Sequence, residues 1–318
     1  MEGLGEFGVV LFFLHTCLVL NFSLERLELG GMGAGWRLVG AFWIRRIFRI
    51  YPLAIFFVLL TGIFRVPYSP GRDYVWPGKS AFLANLALVQ NLVNRGDVLG
   101  TLWSLPIEVQ MYVMLPFTYL AIRKRKSYGP ALLWIAALGL ALTAPKLSGR
   151  FGVFLYAPCF TAGTVAFGLC GRLRKALPMW IWPAGILTSC FLFGPFDRFD
   201  QGTQLPRAWI LSLLLGVLVA FVRESEWRPL NAACHWIAEY SYGIYLSHFV
   251  VFWIALDLMA GRPVWERGLF LAMASVAIPI GFYHAIERPL IAVGSALARR
   301  LRPEEGSSQH LEQPLLRA

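Results

Sequence analysis

The sequence predicts an all-α fold, a polytopic transmembrane helix bundle of about nine spans. Three observations predict it. Of 318 residues, 57% are hydrophobic and only 15% are charged, and the mean hydropathy of +0.59 lies far above that of a soluble domain. Apolar runs recur at lengths close to the roughly 17–25 residues that cross a hydrocarbon core. The Lys and Arg residues behind the net charge of +11 fall between those runs, which is the distribution of a protein oriented in a lipid bilayer and excludes a nucleic-acid-binding reading.

The first run, 7–22, has neither a basic leader nor a small-residue cleavage site, so it is expected to stay as a span rather than leave as a signal peptide. "GGMGAG" (30–35) follows no strand pattern and reads as a flexible linker, not a nucleotide loop. The second span is placed at 47–65. "SAFLANLALVQNLV" (80–93) is apolar too, but as a full span it would put "RKRK" (123–126) outside, so it is expected to be re-entrant or interfacial. Spans at 105–122, 130–145, 151–170, 177–194, 207–222, 242–258 and 267–287 complete the bundle. Pro289 is expected to end the last helix, which divides the chain into a bundle, 1–290, and a polar cytoplasmic tail without fixed structure, 291–318. On this count the segments 23–46, 123–129, 171–176, 223–241 and 288 onward are cytoplasmic, and they hold most of the 29 Lys and Arg residues. A C-terminus inside then puts Met1 outside, directly before a span; that start predicts one more helix upstream. Five cysteines stand singly with no metal-ligand spacing, as packing residues, and no metal site is expected.

Three stretches carry candidate chemistry. In "WSLPIEVQMY" helical spacing places Ser104, Glu108 and Tyr112 one turn apart on a single face, beside Trp103. A capping box would need the acid three residues after the serine, so it does not explain Glu108; an ionisable group inside a span points to function. In "WIRRIFRIYP", Arg45, Arg46 and Arg49 gather at the mouth of the second span. They read equally as a positive-inside anchor and as a clamp for phosphate oxygens. In "YSYGIYLSH", Ser241, Tyr245 and His248 share one helix face. His15, near the middle of the first span, needs a polar partner there and is a second imidazole suited to proton transfer. Glu287 in "AIERPL" suits a helix C-terminus badly, so it is expected to pair with Arg288 or with the Arg45–Arg49 cluster.

"GVVLFFLHTCLVL", "RRIFRIYP", "LWSLPIEVQMYVMLP", "YSYGIYLSH" and "IERP" together occur in an order that resembles the acyltransferase-3 family of integral membrane acyltransferases. That resemblance implies a ten-helix bundle in a bacterial inner membrane. It implies transfer of an acyl group, commonly acetyl, from cytoplasmic acyl-CoA to a hydroxyl of a carbohydrate or other envelope acceptor, with no cofactor besides that donor. On the resemblance, Arg46 and Arg49 match the family's basic pair near the CoA entry, and Trp103, Ser104 and Glu108 match its Trp-Ser and acid motif; with the residues read above, Glu108, His15 and Ser104 are the catalytic candidates, while Arg45, Arg46, Arg49, Trp103, Tyr112, Tyr245 and His248 are expected to bind substrate. The family pattern also has an Arg and a His in a first helix, the His as general base, and neither has a counterpart here; His15 and Thr16 stand where the family has Ser-Gly. Two other classes fit the residues: a proton-coupled sugar or lipid transporter using Glu108 and His15, and an inactive membrane partner. Binding of CoA separates the first from an acyltransferase.

Overall fold

A computed structural model describes residues 2–147, 150, 152–172, 176–194 and 201–302. Among them the secondary structure is helical apart from one isolated bridge between Leu177 and Val222. Eleven α-helices follow in order: α1 (Glu2–Leu27), α2 (Trp36–Phe64), α3 (Lys79–Leu86), α4 (Ser104–Ile122), α5 (Gly129–Leu147), α6 (Val153–Leu169), α7 (Ile181–Phe193), α8 (Gln201–Phe221), α9 (Arg228–Trp253), α10 (Val264–Phe282) and α11 (Arg288–Arg299).

The span count differs from the expected nine. Six of the described helical stretches are long and apolar enough to cross a membrane: Gly3–Met32, Trp36–Phe64, Gly100–Ile122, Gln204–Phe221, Arg228–Leu258 and Val264–Arg299. The other three expected spans fall on apolar helices of 10–17 described residues: Gly129–Thr143, Val153–Leu169 and Ile181–Phe193. Hydropathy registers an apolar run, but a helix gains only about 1.5 Å per residue, so a run that ends early falls short of a core about 30 Å thick. The ends move as well. Pro289 does not stop the last helix, because a π-helical turn at Tyr283–Glu287 precedes it and places the proline in the first turn of α11, where a missing N–H is harmless. α11 then packs along α2. The remainder of the expected tail, 303–318, lies outside the described residues.

Two groups of helices share α4. In one, α6 packs against α1, α5 and α8; in the other, α9 packs on α10 and α11 on α2; α4 touches α1, α2 and α6. α6 is enclosed, and small residues permit its close contacts. A Cβ on Gly163 would overlap Leu14 O of α1, and one on Gly216 would stand 2.8 Å from Ala162 O. Polar side chains bridge the same seam: Asn21 Nδ2 donates to Cys17 O (2.8 Å) and to Thr164 Oγ1 (3.3 Å).

One end of the bundle is basic. The turn between α1 and α2, with Gly31 at φ +90°, brings Glu28 to Arg123 and to the Tyr119 hydroxyl (2.6 Å), while Glu25 meets Lys126. At the opposite end the 80–93 segment is the short α3 followed by turns, and does not cross. Asn85 holds this fold through bonds to Ala81 O, Gly96 O and Val98 N. Gly71 N donates to Asp257 Oδ2 (2.8 Å), and burial pushes the nearby Asp97 carboxyl above the usual carboxylate range while Gln90 Nε2, donating to it at 3.0 Å, opposes the rise.

Candidate active site

The site is built on the entrance to α4. Gly100 N donates to Tyr68 O (2.8 Å), and its α-carbon lies so close to the Phe249 ring that a Cβ there would overlap it. A single 3₁₀ turn, Gly100–Trp103, then delivers Ser104 to the first position of α4. The Ser104 and Tyr245 hydroxyls bond at 2.7 Å, which ties α4 to α9. One turn further on, Glu108 is buried, 4% exposed, and accepts a short hydrogen bond from the Tyr112 hydroxyl.

Ser104, Glu108, Ser241, Tyr242, Tyr245 and His248 line one cavity of about 380 Å³, bounded on another side by Gly5, Gly8, Val9 and Phe12 of α1, where Gly5, Gly8 and Phe12 are exposed. The two polar stripes expected from α4 and α9 therefore meet. His248 Nδ1 lies 2.6 Å from Tyr245 O; the carbonyl can only accept, so Nδ1 carries the proton and Nε2 the free lone pair.

The three arginines of α2 separate. Arg46 lies in electrostatic range of Glu108 and Tyr112 and lines a small apolar crevice of about 200 Å³ between α2 and α4, with its Nε buried and unbonded. Trp43 Nε1 donates to Tyr112 O (3.2 Å) and fixes this contact. Arg49 pairs with Glu287 at 3.1 Å and covers the Tyr242 ring, whose hydroxyl donates to Ile50 O (2.7 Å). Gly243 makes room: a Cβ there would stand 3.2 Å from Pro279 and 3.4 Å from Glu287 Oε1. Arg45 faces instead toward Arg299 and Arg302.

Arg49→Ala is expected to lower the unfolding temperature in detergent more than the double change Arg49→Met with Glu287→Met. The single change strands a carboxylate that is 1% exposed, at a cost of about 3 kcal/mol, whereas the double change removes both charges. Equal losses from the two variants would show that the pair is not coupled.

Like the three arginines, Tyr112, which lines the α2–α4 crevice, and two more expected site residues do not line the cavity. His15 is on an exposed face of α1, outside the cavity, and Trp103 packs instead against the Tyr156 ring at a tilt of 49°, ring centroids 5.7 Å apart. A larger cavity, about 960 Å³, opens at the basic end between Lys126, Trp182 and Asn231, and contains none of the candidate residues.

A family model described as the acyltransferase domain matches residues 1–285. The chain belongs to that acyltransferase family. Among its curated relatives, the acyltransferase MdmB of Streptomyces mycarofaciens is 25% identical, over 90% of this chain and 81% of MdmB. The peptidoglycan O-acetyltransferase OatA of Listeria monocytogenes is 25% identical, over 90% of this chain and 51% of OatA. The putative peptidoglycan O-acetyltransferase YrhL of Bacillus subtilis is 24% identical, over 80% of this chain and 46% of YrhL. The chain thus spans about half the length of the latter two. No solved structure matches it.

Within this acyltransferase bundle, sequence reasoning overlooked Tyr242 and the glycines of α1. Tyr242 sits between two residues already singled out, and its hydroxyl is a polar group in an apolar span, which was the available signal. Gly5 and Gly8 left none, since their part is to leave space.

Proposed function

We propose that the chain is a membrane O-acyltransferase that moves a small acyl group, acetyl by preference, from acyl-CoA to a hydroxyl of a carbohydrate or other cell-envelope acceptor. The observation that carries this reading is the 380 Å³ cavity in which Glu108, the Ser104–Tyr245 hydroxyl pair and His248 converge inside the bundle. The names of OatA and YrhL, which specify acetyl transfer to peptidoglycan oxygen, support the acceptor class. The bacterial relatives support a bacterial inner membrane, and the positive-inside bias supports an orientation with the basic end and the C-terminus cytoplasmic.

In this mechanism His248 Nε2 takes the proton of the acceptor hydroxyl as its oxygen attacks the thioester carbonyl. Within the Ser104–Tyr245 pair one hydroxyl donates to the other, and the proton left free donates to the oxyanion that forms. The C–S bond then breaks, and the CoA sulfur leaves with the proton from His248. Glu108 keeps one oxygen on Tyr112 and offers the other to the acceptor and to the transient imidazolium.

The test is CoA thiol release by the purified chain in proteoliposomes holding acetyl-CoA on one side and an oligosaccharide on the other. Release that requires the oligosaccharide, and that drops about 100-fold in His248→Asn with loss of the acidic limb of the pH profile, is the expected result. Oligosaccharide movement without thiol release would identify a transporter instead.

A further inference from the structure

The arginine-rich mouth of the bundle does not act as one clamp, because its charges are unequally balanced. Arg49 is neutralised by Glu287, and Arg46 lies in range of Glu108. At the same end Glu28 is occupied by Arg123 and Tyr119, and Glu25 by Lys126. Arg45, Arg299 and Arg302 differ: the guanidinium groups of Arg299 and Arg302 lie in electrostatic range of Arg45, and no ion pair joins any of the three to a carboxylate among the described residues. Arg45 Nε is buried there with no hydrogen-bond partner.

Packing, not charge, enforces this gathering. Gly294 lets α11 approach α2 so closely that a Cβ on it would stand 2.5 Å from Phe48 Cβ. Leu301 reaches to 3.3 Å from the Cβ position of Gly40, and Arg302 Nη2 to 3.5 Å from that of Gly30, in the glycine turn after α1. Three like charges held together by apolar contacts repel one another until an anion enters, and planar guanidinium forks match the oxygens of a phosphate group.

We infer that Arg45, Arg299 and Arg302 form a phosphate-binding site at the junction of α2, α11 and the α1–α2 turn. Resting on the function proposed above, the phosphate is that of acyl-CoA. A phospholipid headgroup offers the same chemistry from a second source.

The full chain would be purified, with Arg45→Gln/Arg299→Gln/Arg302→Gln and the exposed pair Arg299→Gln/Arg302→Gln beside it, and placed in phosphatidylcholine nanodiscs. CoA and 3′-dephospho-CoA would be titrated, and phosphatidylglycerol retained from detergent would be counted by native mass spectrometry. The expected result is a fall in CoA affinity of at least about 10-fold in the triple variant and a smaller one in the double variant, since charge-assisted contacts at an exposed rim are weakened by solvent screening. Loss of retained phosphatidylglycerol in the variants, with a wild type that binds no CoA, keeps the site, assigns it to a lipid headgroup and overturns the acyl-CoA reading. Unchanged CoA affinity together with unchanged phosphatidylglycerol retention overturns the site and leaves the acyl-CoA reading standing.

Discussion

Glu108→Gln is expected to lower acyl transfer by about 10²–10³-fold with the fold intact. Gln has the shape of Glu and can still accept the Tyr112 hydroxyl, so the cavity keeps its walls. What disappears is the negative charge available to the acceptor hydroxyl and to the imidazolium of His248. The same change leaves Arg46 without the carboxylate in its range, which costs stability independently of the chemistry. A double variant, Glu108→Gln with Arg46→Gln, separates the two effects: it should recover thermal stability and stay inactive. Transfer within about threefold of the parent in Glu108→Gln would remove Glu108 from the mechanism. Measuring KM for the acceptor beside kcat shows whether the loss lies in binding or in the reaction.

Gly163→Leu is expected to abolish the folded bundle. At this position α6 meets α1, and even the methyl of Gly163→Ala would overlap Leu14 O and stand 2.8 Å from Cys17 Cβ and Leu18 N. Two of those three atoms are backbone, which cannot swing aside as a side chain can. Ala should therefore cost at least the 1–3 kcal/mol typical of overpacking, and Leu should force the helices apart, breaking the Asn21–Thr164 bond across the seam. Gly139→Ala in α5 is the control, since nothing lies within 4 Å of its Cβ position and alanine favours the helix. Fluorescence-detected size exclusion in mild detergent reads the outcome. A monodisperse Gly163→Leu protein with the parent's unfolding temperature would mean that the α1–α6 contact does not hold the bundle together.

The α4 stripe was legible because it is local. Ser104, Glu108 and Tyr112 occur at helical spacing within nine residues, and helix geometry alone puts them on one face. The Ser241, Tyr245 and His248 face was legible for the same reason, and the tie between Glu287 and the arginines followed from an acid at the wrong end of a helix dipole. Span ends were less legible. Pro289 reads as a stop by every local rule, yet a π turn immediately before it absorbs the missing hydrogen bond and the helix resumes.

By itself the sequence determined an α-helical membrane protein, its acyltransferase family and the residues that carry its polar stripes, because hydropathy and helical period are properties of neighbouring residues. Only the tertiary structure decided what each of those residues faces. Arg45, Arg46 and Arg49 lie within one short stretch of α2, yet one meets α11, one meets α4 and one meets Glu287. His15 and His248 are both imidazoles in apolar helices, and only His248 lines the cavity. The reason is geometric: which side of a helix is covered depends on helices far away in the chain, and on glycines such as Gly163 and Gly294 that let those helices approach.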